Sequence, residues 1–306
     1  MSRHRLGFAV KVLGAGGIPS HDTRRWQSGP HLRVSLDRLD EILSYLERNA
    51  ITMYRMSSSL APYATHPDLP EFHHQGDECR DRLAEVGARA RSLSVRLSAH
   101  PSQYVVLNSE SEDVRAAAVR DLELQAALFD AMGLDREAVV VLHVGSGGKG
   151  AADRFLRGFE LLSDAARARL VIENDDRVFS LTDVLDVSRR SGLPVVWDIL
   201  HHHCHDPAGI PDRDALELAL ATWPAEVKPK IHYSSPKTAV EQRKRRRGRR
   251  VETQYVLPPL RAHADLIDPI AFRQFVEHTA ARLDFDIMLE AKAKDLALLR
   301  LREQLS

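Results

Sequence analysis

Eight short runs of apolar and β-branched residues recur along the 306-residue chain, each followed by a segment of helical period, and this alternation constrains the fold more than any other feature. The runs cover residues 6–10, 51–56, 95–99, 139–142, 170–172, 195–197, 230–233 and 286–289. Between them lie Leu36, Leu39, Leu43 and Leu46 behind a candidate cap, Ser35, and then Val114, Ala117, Ala118, Leu122, Ala126 and Phe129. Further helical segments are expected at 155–168, 181–190 behind Ser180, 214–221, and 269–283 with Pro269 in its first turn. Such alternation is the pattern of repeated βα units around a parallel sheet. Eight units in a chain of this length predict a single (β/α)8 TIM barrel. A doubly wound sheet is the rival, because periodicity does not order the strands.

No linker rich in Pro, Gly or Ser divides the chain, so one domain over residues 1–306 is expected. Its one interruption is a basic insertion at about 241–252, which holds Arg243, Lys244, Arg245, Arg246 and Arg247 and is too charged to enter a core. Hydrophobic residues make up 43% of the chain and charged residues 28%, which excludes a disordered or collagenous chain. Cys79 and Cys204 match neither a disulfide framework nor a zinc finger, and suggest a reducing compartment. The first residues lack an apolar signal core, and no stretch approaches the roughly 20 apolar residues of a membrane helix. A cytoplasmic protein is expected. The glycines of 145–150 lack the ending of a phosphate-binding loop and read as a turn.

Chemistry enters where the runs end. The third leads into His100, the fourth into His143, the fifth into Glu173, the sixth into Asp198 and His201, the seventh carries His232 and the eighth ends at Glu290. The carboxyl ends of barrel strands are where active sites are built. Six successive strands delivering imidazoles and carboxylates to one mouth would cost several kcal/mol per buried, unpaired group without a compensating cation. The donor set suits Mn2+, Zn2+, Co2+ or Fe2+, and it exceeds what one ion uses, so two or three ions are inferred. Lys230 lies two residues before His232 and shares its face of the strand, so its amine either caps a carboxylate or enters the site uncharged or modified.

These residues and their surroundings resemble the UV damage endonuclease family, metal-dependent barrel enzymes related to endonuclease IV. The matching stretches include Tyr54-Arg55-Met56-Ser57-Ser58, His100-Pro101-Ser102-Gln103-Tyr104, Ile172-Glu173-Asn174-Asp175, Lys230-Ile231-His232-Tyr233-Ser234-Ser235, His263-Ala264-Asp265 and Leu289-Glu290-Ala291-Lys292. The resemblance implies a cluster of up to three divalent ions, commonly Mn2+, that cuts damaged double-stranded DNA on the 5′ side of ultraviolet photoproducts. It further implies that His100, His143 and Glu173 hold one ion, that Glu173, Asp198, His232 and Glu290 hold a second, and that His201 and His263 contribute to a third. Glu173 and Lys230 would be catalytic. Gln103 and Tyr104 would probe the damaged dinucleotide, and Phe8 stands where relatives often carry a DNA-contacting tyrosine.

The whole chain is formally neutral, with 43 basic and 43 acidic residues, so the basic insertion concentrates positive charge that could meet several phosphates. A monomer without an obligate protein partner is the default expectation. Two other functions stay open on the residues alone: a metal-dependent sugar isomerase on the same barrel, and a lesion-binding protein without turnover.

Overall fold

The computed structural model describes residues 4–247 and 250–306, the side chains of Arg247 and Arg250 excepted. Its strands are β1 (Leu6–Ala9), β2 (Met53–Arg55), β3 (Arg96–Ser98), β4 (Val140–His143), β5 (Leu170–Glu173), β6 (Val195–Val196), β7 (Lys230–Tyr233), β8 (Glu241–Arg247), β9 (Arg250–Val256) and β10 (Asp286–Leu289). The helices are α1 (Leu32–Arg48), α2 (Gln75–Glu78), α3 (Arg80–Ser92), α4 (Glu112–Ala131), α5 (Ala151–Phe159), α6 (Asp164–Arg169), α7 (Leu181–Ser191), α8 (Ile199–Cys204), α9 (Asp212–Leu220), α10 (Pro269–Gln274) and α11 (Lys294–Leu305).

Parallel pairing joins the strands in the order β3-β2-β1-β10-β7, and separately β4-β5-β6. Single parallel bridges, Ala99 to Val140 and Asp198 to His232, connect these two groups. The eight parallel strands therefore complete a ring, which settles the choice between a barrel and an open doubly wound sheet.

Residues two apart on a strand face the same side. One parity faces outward: Phe8, Tyr54, Leu97, Leu142, Ile172, Trp197, Ile231 and Leu289 all belong to the large apolar layer beneath the helices. The other parity fills the barrel, with Ala9, Met53 and Met288 packed together on one side and Val141, Val171 and Val196 on the other. Two positions beyond these inward residues come Arg55, His143, Glu173, Asp198 and Glu290, and Lys230 precedes His232 on the same parity.

Local chemistry sets the helix boundaries, and here several expectations are corrected. Helix α1 starts four residues before its apolar stripe, capped by His31, whose ring accepts from Arg33 N at 3.1 Å. Ser35 is not the cap; buried inside α1, its hydroxyl accepts from Asp22 N at 2.9 Å and pins the preceding loop. The single helix expected at 155–168 is two, because the Ser163 hydroxyl accepts from Ala166 N and restarts the chain as α6. The last long helix becomes α10 followed by a wider turn at Phe275–Thr279. The basic insertion, expected only as a charged interruption, is an antiparallel ribbon formed by β8 and β9. Among the described residues no helix is long and apolar enough to cross a membrane.

Candidate metal centre

Glu173, the last residue of β5, is fully buried at the middle of the mouth. Its Oε2 lies 3.0 Å from His100 Nε2 and 3.7 Å from His143 Nε2, and its Oε1 lies 2.9 Å from His232 Nδ1 and 3.5 Å from His201 Nδ1. Four imidazoles, from just after β3, the end of β4, within β7 and the start of α8, thus converge on one carboxylate. Burial alone would raise the pKa of Glu173, but His232 and His143 outweigh it and hold the carboxyl well below the usual range. Burial pushes His100 down to about 4, against the pull of Glu173, so its ring is neutral and free to ligate.

Asp198 divides its two oxygens between fold and site. It caps α8, with Oδ1 accepting from His201 N at 2.8 Å, while Oδ2 is buried without a partner. Asn174 holds it from behind, accepting from Asp198 N at 2.9 Å and donating to its carbonyl at 3.0 Å. His232 repeats this arrangement, with Nδ1 against Glu173 and Nε2 buried and unpartnered. Buried polar groups normally find partners. Orphaned acceptor positions on an aspartate and a histidine of one cluster are therefore what a cation would satisfy.

Three sets of donors come within 4.8 Å of one another: His100, His143 and Glu173; Glu173, Asp198 and His201; and Asp198, His232 and Glu290. His263 stands at the edge of the cluster. Its ring centroid is 6.2 Å from that of His201, and its Nδ1 lies 2.8 Å from the carbonyl of Glu290. His203 pairs instead with Asp212, at 2.9 Å. These donors are the nitrogens and oxygens that intermediate divalent ions accept, and they fit such an ion.

Two basic side chains, Arg55 and Lys230, flank the carboxylates. Arg55, the last residue of β2, forms an ion pair with Glu290. The rule that singled out the other strand ends applies equally to β2, but a search for metal-binding side chains passes over an arginine. Lys230 is fully buried, and its Nζ has no hydrogen-bond partner. Burial, reinforced by Arg96 and Arg55, pushes its pKa far below the usual lysine value.

The expected DNA-contacting residues separate. Gln103 is exposed and Tyr104 is 78% exposed, on the loop after β3. A cavity of about 380 Å3 beside the centre is lined in part by Gln103, His143, Asp176, Arg177 and His201. Arg243, Lys244, Arg245 and Arg246 are exposed on the ribbon, whereas the side chain of Arg247 lies outside the described residues. Phe8 is corrected: it has 0% exposure and packs edge-on against Tyr54 at 5.3 Å. The parity of β1 turns it towards the helices, away from the mouth where a duplex would lie.

A closed ring of eight parallel strands with imidazoles and carboxylates crowded at its carboxyl-terminal mouth defines a barrel protein equipped to hold divalent metal ions. The chain belongs to the UV-endonuclease UvdE family, whose model matches residues 33–306. It is 32% identical over 273 residues to the UV DNA damage endonuclease of Clostridium perfringens, an alignment covering 88% of this chain and 61% of that protein. It is 36% identical over 280 residues to the UV DNA damage endonuclease of Bacillus velezensis, covering 90% and 81%. The crystal structure of SacUVDE superposes with a TM-score of 0.82 at 31% identity, over 99% of this chain and 98% of that one. D-psicose 3-epimerase from Clostridium cellulolyticum H10 shares the fold, at a TM-score of 0.55 and 11% identity over 98% and 96%.

Proposed function

We propose that this protein is a metal-dependent DNA repair endonuclease that hydrolyses the phosphodiester bond 5′ to UV photoproducts, cyclobutane pyrimidine dimers and 6-4 photoproducts alike, with other distorting lesions as further substrates. The observation that carries the reading is the gathering of His100, His143, Glu173, Asp198, His201, His232 and Glu290 around one mouth in a chain of this family. His100, His143 and Glu173 would hold one ion, and Asp198, His232 and Glu290 a second that shares Glu173. His201 and His263 serve a third. Mn2+ is the first choice; Zn2+ and Co2+ suit the same imidazole and carboxylate donors, and Mg2+ is an alternative for the carboxylate-rich positions. Such ions, when bound, supply positive charge to a pentacoordinate phosphorus and lower the pKa of an attacking water.

The protein's own part is to hold and to select. Glu173 anchors four imidazoles in one orientation. Lys230, uncharged, offers Nζ as a proton acceptor at the floor of the site. Gln103 fills the space left by displaced bases and bonds their orphaned partners, while Tyr104 supplies a stacking face. The basic ribbon holds the flanking duplex. Lesions are selected because a duplex that already stacks and pairs poorly costs less to deform.

Incubation of irradiated and untreated supercoiled plasmid with the protein and Mn2+ tests this. Selective nicking of the irradiated plasmid is expected. Binding without nicking would make the protein a lesion-binding factor, and indifference to both plasmids would point to a small substrate such as a sugar.

A further inference from the structure

The ribbon of β8 and β9 has two chemically different faces. In an antiparallel pair, opposite residues share a face and neighbours along a strand alternate. Glu241 with Val256, Arg243 with Gln254, and Arg245 with Glu252 occupy one face; Gln242 with Tyr255, Lys244 with Thr253, and Arg246 with Val251 occupy the other. The first face carries both acids of the ribbon beside Arg243 and Arg245, and by register it also takes the positions of Arg247 and Arg250. Glu241 accepts from Arg243 Nη2 at 3.0 Å and from Lys237 Nζ at 2.6 Å, and Glu252 stands opposite Arg245. On the second face Lys244 and Arg246 are exposed with no acid among the described side chains, beside Tyr255 at 67% exposure.

The ribbon is rooted at the metal centre. Lys237 N donates to Ala262 O at 2.6 Å, Ala264 N donates to Ser235 O at 2.9 Å, and Pro236 bridges to His263. Its root follows β7, while Gln103 and Tyr104 follow β3, and in the ring of eight these two strands are four places apart, on opposite sides of the mouth. Strands of seven residues reach about 24 Å at roughly 3.4 Å per residue, the length of about seven base pairs.

We propose that the Lys244, Arg246 and Tyr255 face grips the backbone of the undamaged arm of a DNA duplex, across the metal centre from Gln103 and Tyr104, while the Arg243 and Arg245 face turns away. The choice of DNA as partner rests on the nuclease reading above. Equal amounts of charge removed from the two faces should therefore have unequal effects.

The test compares K244S/R246S with R243S/R245S by fluorescence anisotropy on an undamaged duplex, in chelator, across a range of salt concentrations. The first pair should flatten the slope of log affinity against log salt by about 1.8, two phosphate contacts at about 0.9 each, and the second by less than half of that. Equal flattening, a larger effect from R243S/R245S, or no change in either would overturn the proposal, as would ribbon-dependent preference for an RNA duplex. Nicking of irradiated plasmid by the unaltered protein is read separately. Unchanged slopes with intact nicking remove the ribbon surface and leave the nuclease; unequal slopes without nicking keep the surface and remove the nuclease.

Discussion

Glu290 is gripped by Arg55 on one side and approached to 3.4 Å by His232 on the other, so its charge is balanced before any ion arrives. Arg55→Met leaves that largely buried carboxylate in the metal-free protein with only the imidazoles of His232 and His263 near it. Breaking one partner of a buried pair costs about 3–5 kcal/mol, and the residual exposure of both side chains puts this case at about 3. Urea unfolding in chelator should report that loss, and adding Mn2+ should shrink it, because an ion at Glu290 replaces the missing guanidinium. A loss of equal size with and without Mn2+ would mean that Arg55 acts through packing alone. At this scale the sequence was readable wherever a donor occupied a strand end, as at His143 and Glu173. It gave no role to Arg55 and Asn174, although both lie in stretches that carry the family resemblance, because their importance comes from what they touch. It misplaced Phe8, because a resemblance in wording does not carry the parity of a strand.

Helices α3 and α4 meet so closely that a Cβ on Gly87 would lie 1.9 Å from the carbonyl oxygen of Met132. Backbone cannot yield as a flexible side chain does. Gly87→Ala should therefore cost well over the roughly 1 kcal/mol that glycine-to-alanine changes usually gain in helices, and thermal unfolding should show the net loss. Midway along α4, burial raises the Asp121 carboxyl from 3.8 to about 6. The folded state then holds a proton that the unfolded chain has released, so stability falls as pH rises from about 4 to about 6. Asp121→Asn removes this penalty. It should stabilise the protein at pH 7 by up to about 3 kcal/mol, with the gain fading below about pH 4 in urea titrations run at several pH values. Helix and strand periods were visible in the sequence, yet the caps were not. His31 in place of Ser35, and the restart of the chain at Ser163, depend on which side chain finds a backbone donor once its neighbours are packed.

Across the whole molecule, the ring of strands brings together groups that would repel or remain unsatisfied alone, and an ion bound there stabilises only the folded chain. Chelation should lower the midpoint of thermal unfolding by several degrees, and Mn2+ at about a hundred times its dissociation constant should restore about 2.7 kcal/mol. A midpoint indifferent to chelator and to Mn2+ would remove the metal centre. The sequence by itself determined the number of βα units, the strand ends that bear His100, His143, Glu173, Asp198, His232 and Glu290, and the isolation of charge at residues 243–250, because period and composition are local properties. Only the tertiary structure decided that β4 and β6 close onto β3 and β7, that His232 and Asp198 keep orphaned atoms, and that both acids of the ribbon fall on one face and none on the other. Those outcomes depend on register and on contacts between residues far apart in the chain, which no local pattern encodes.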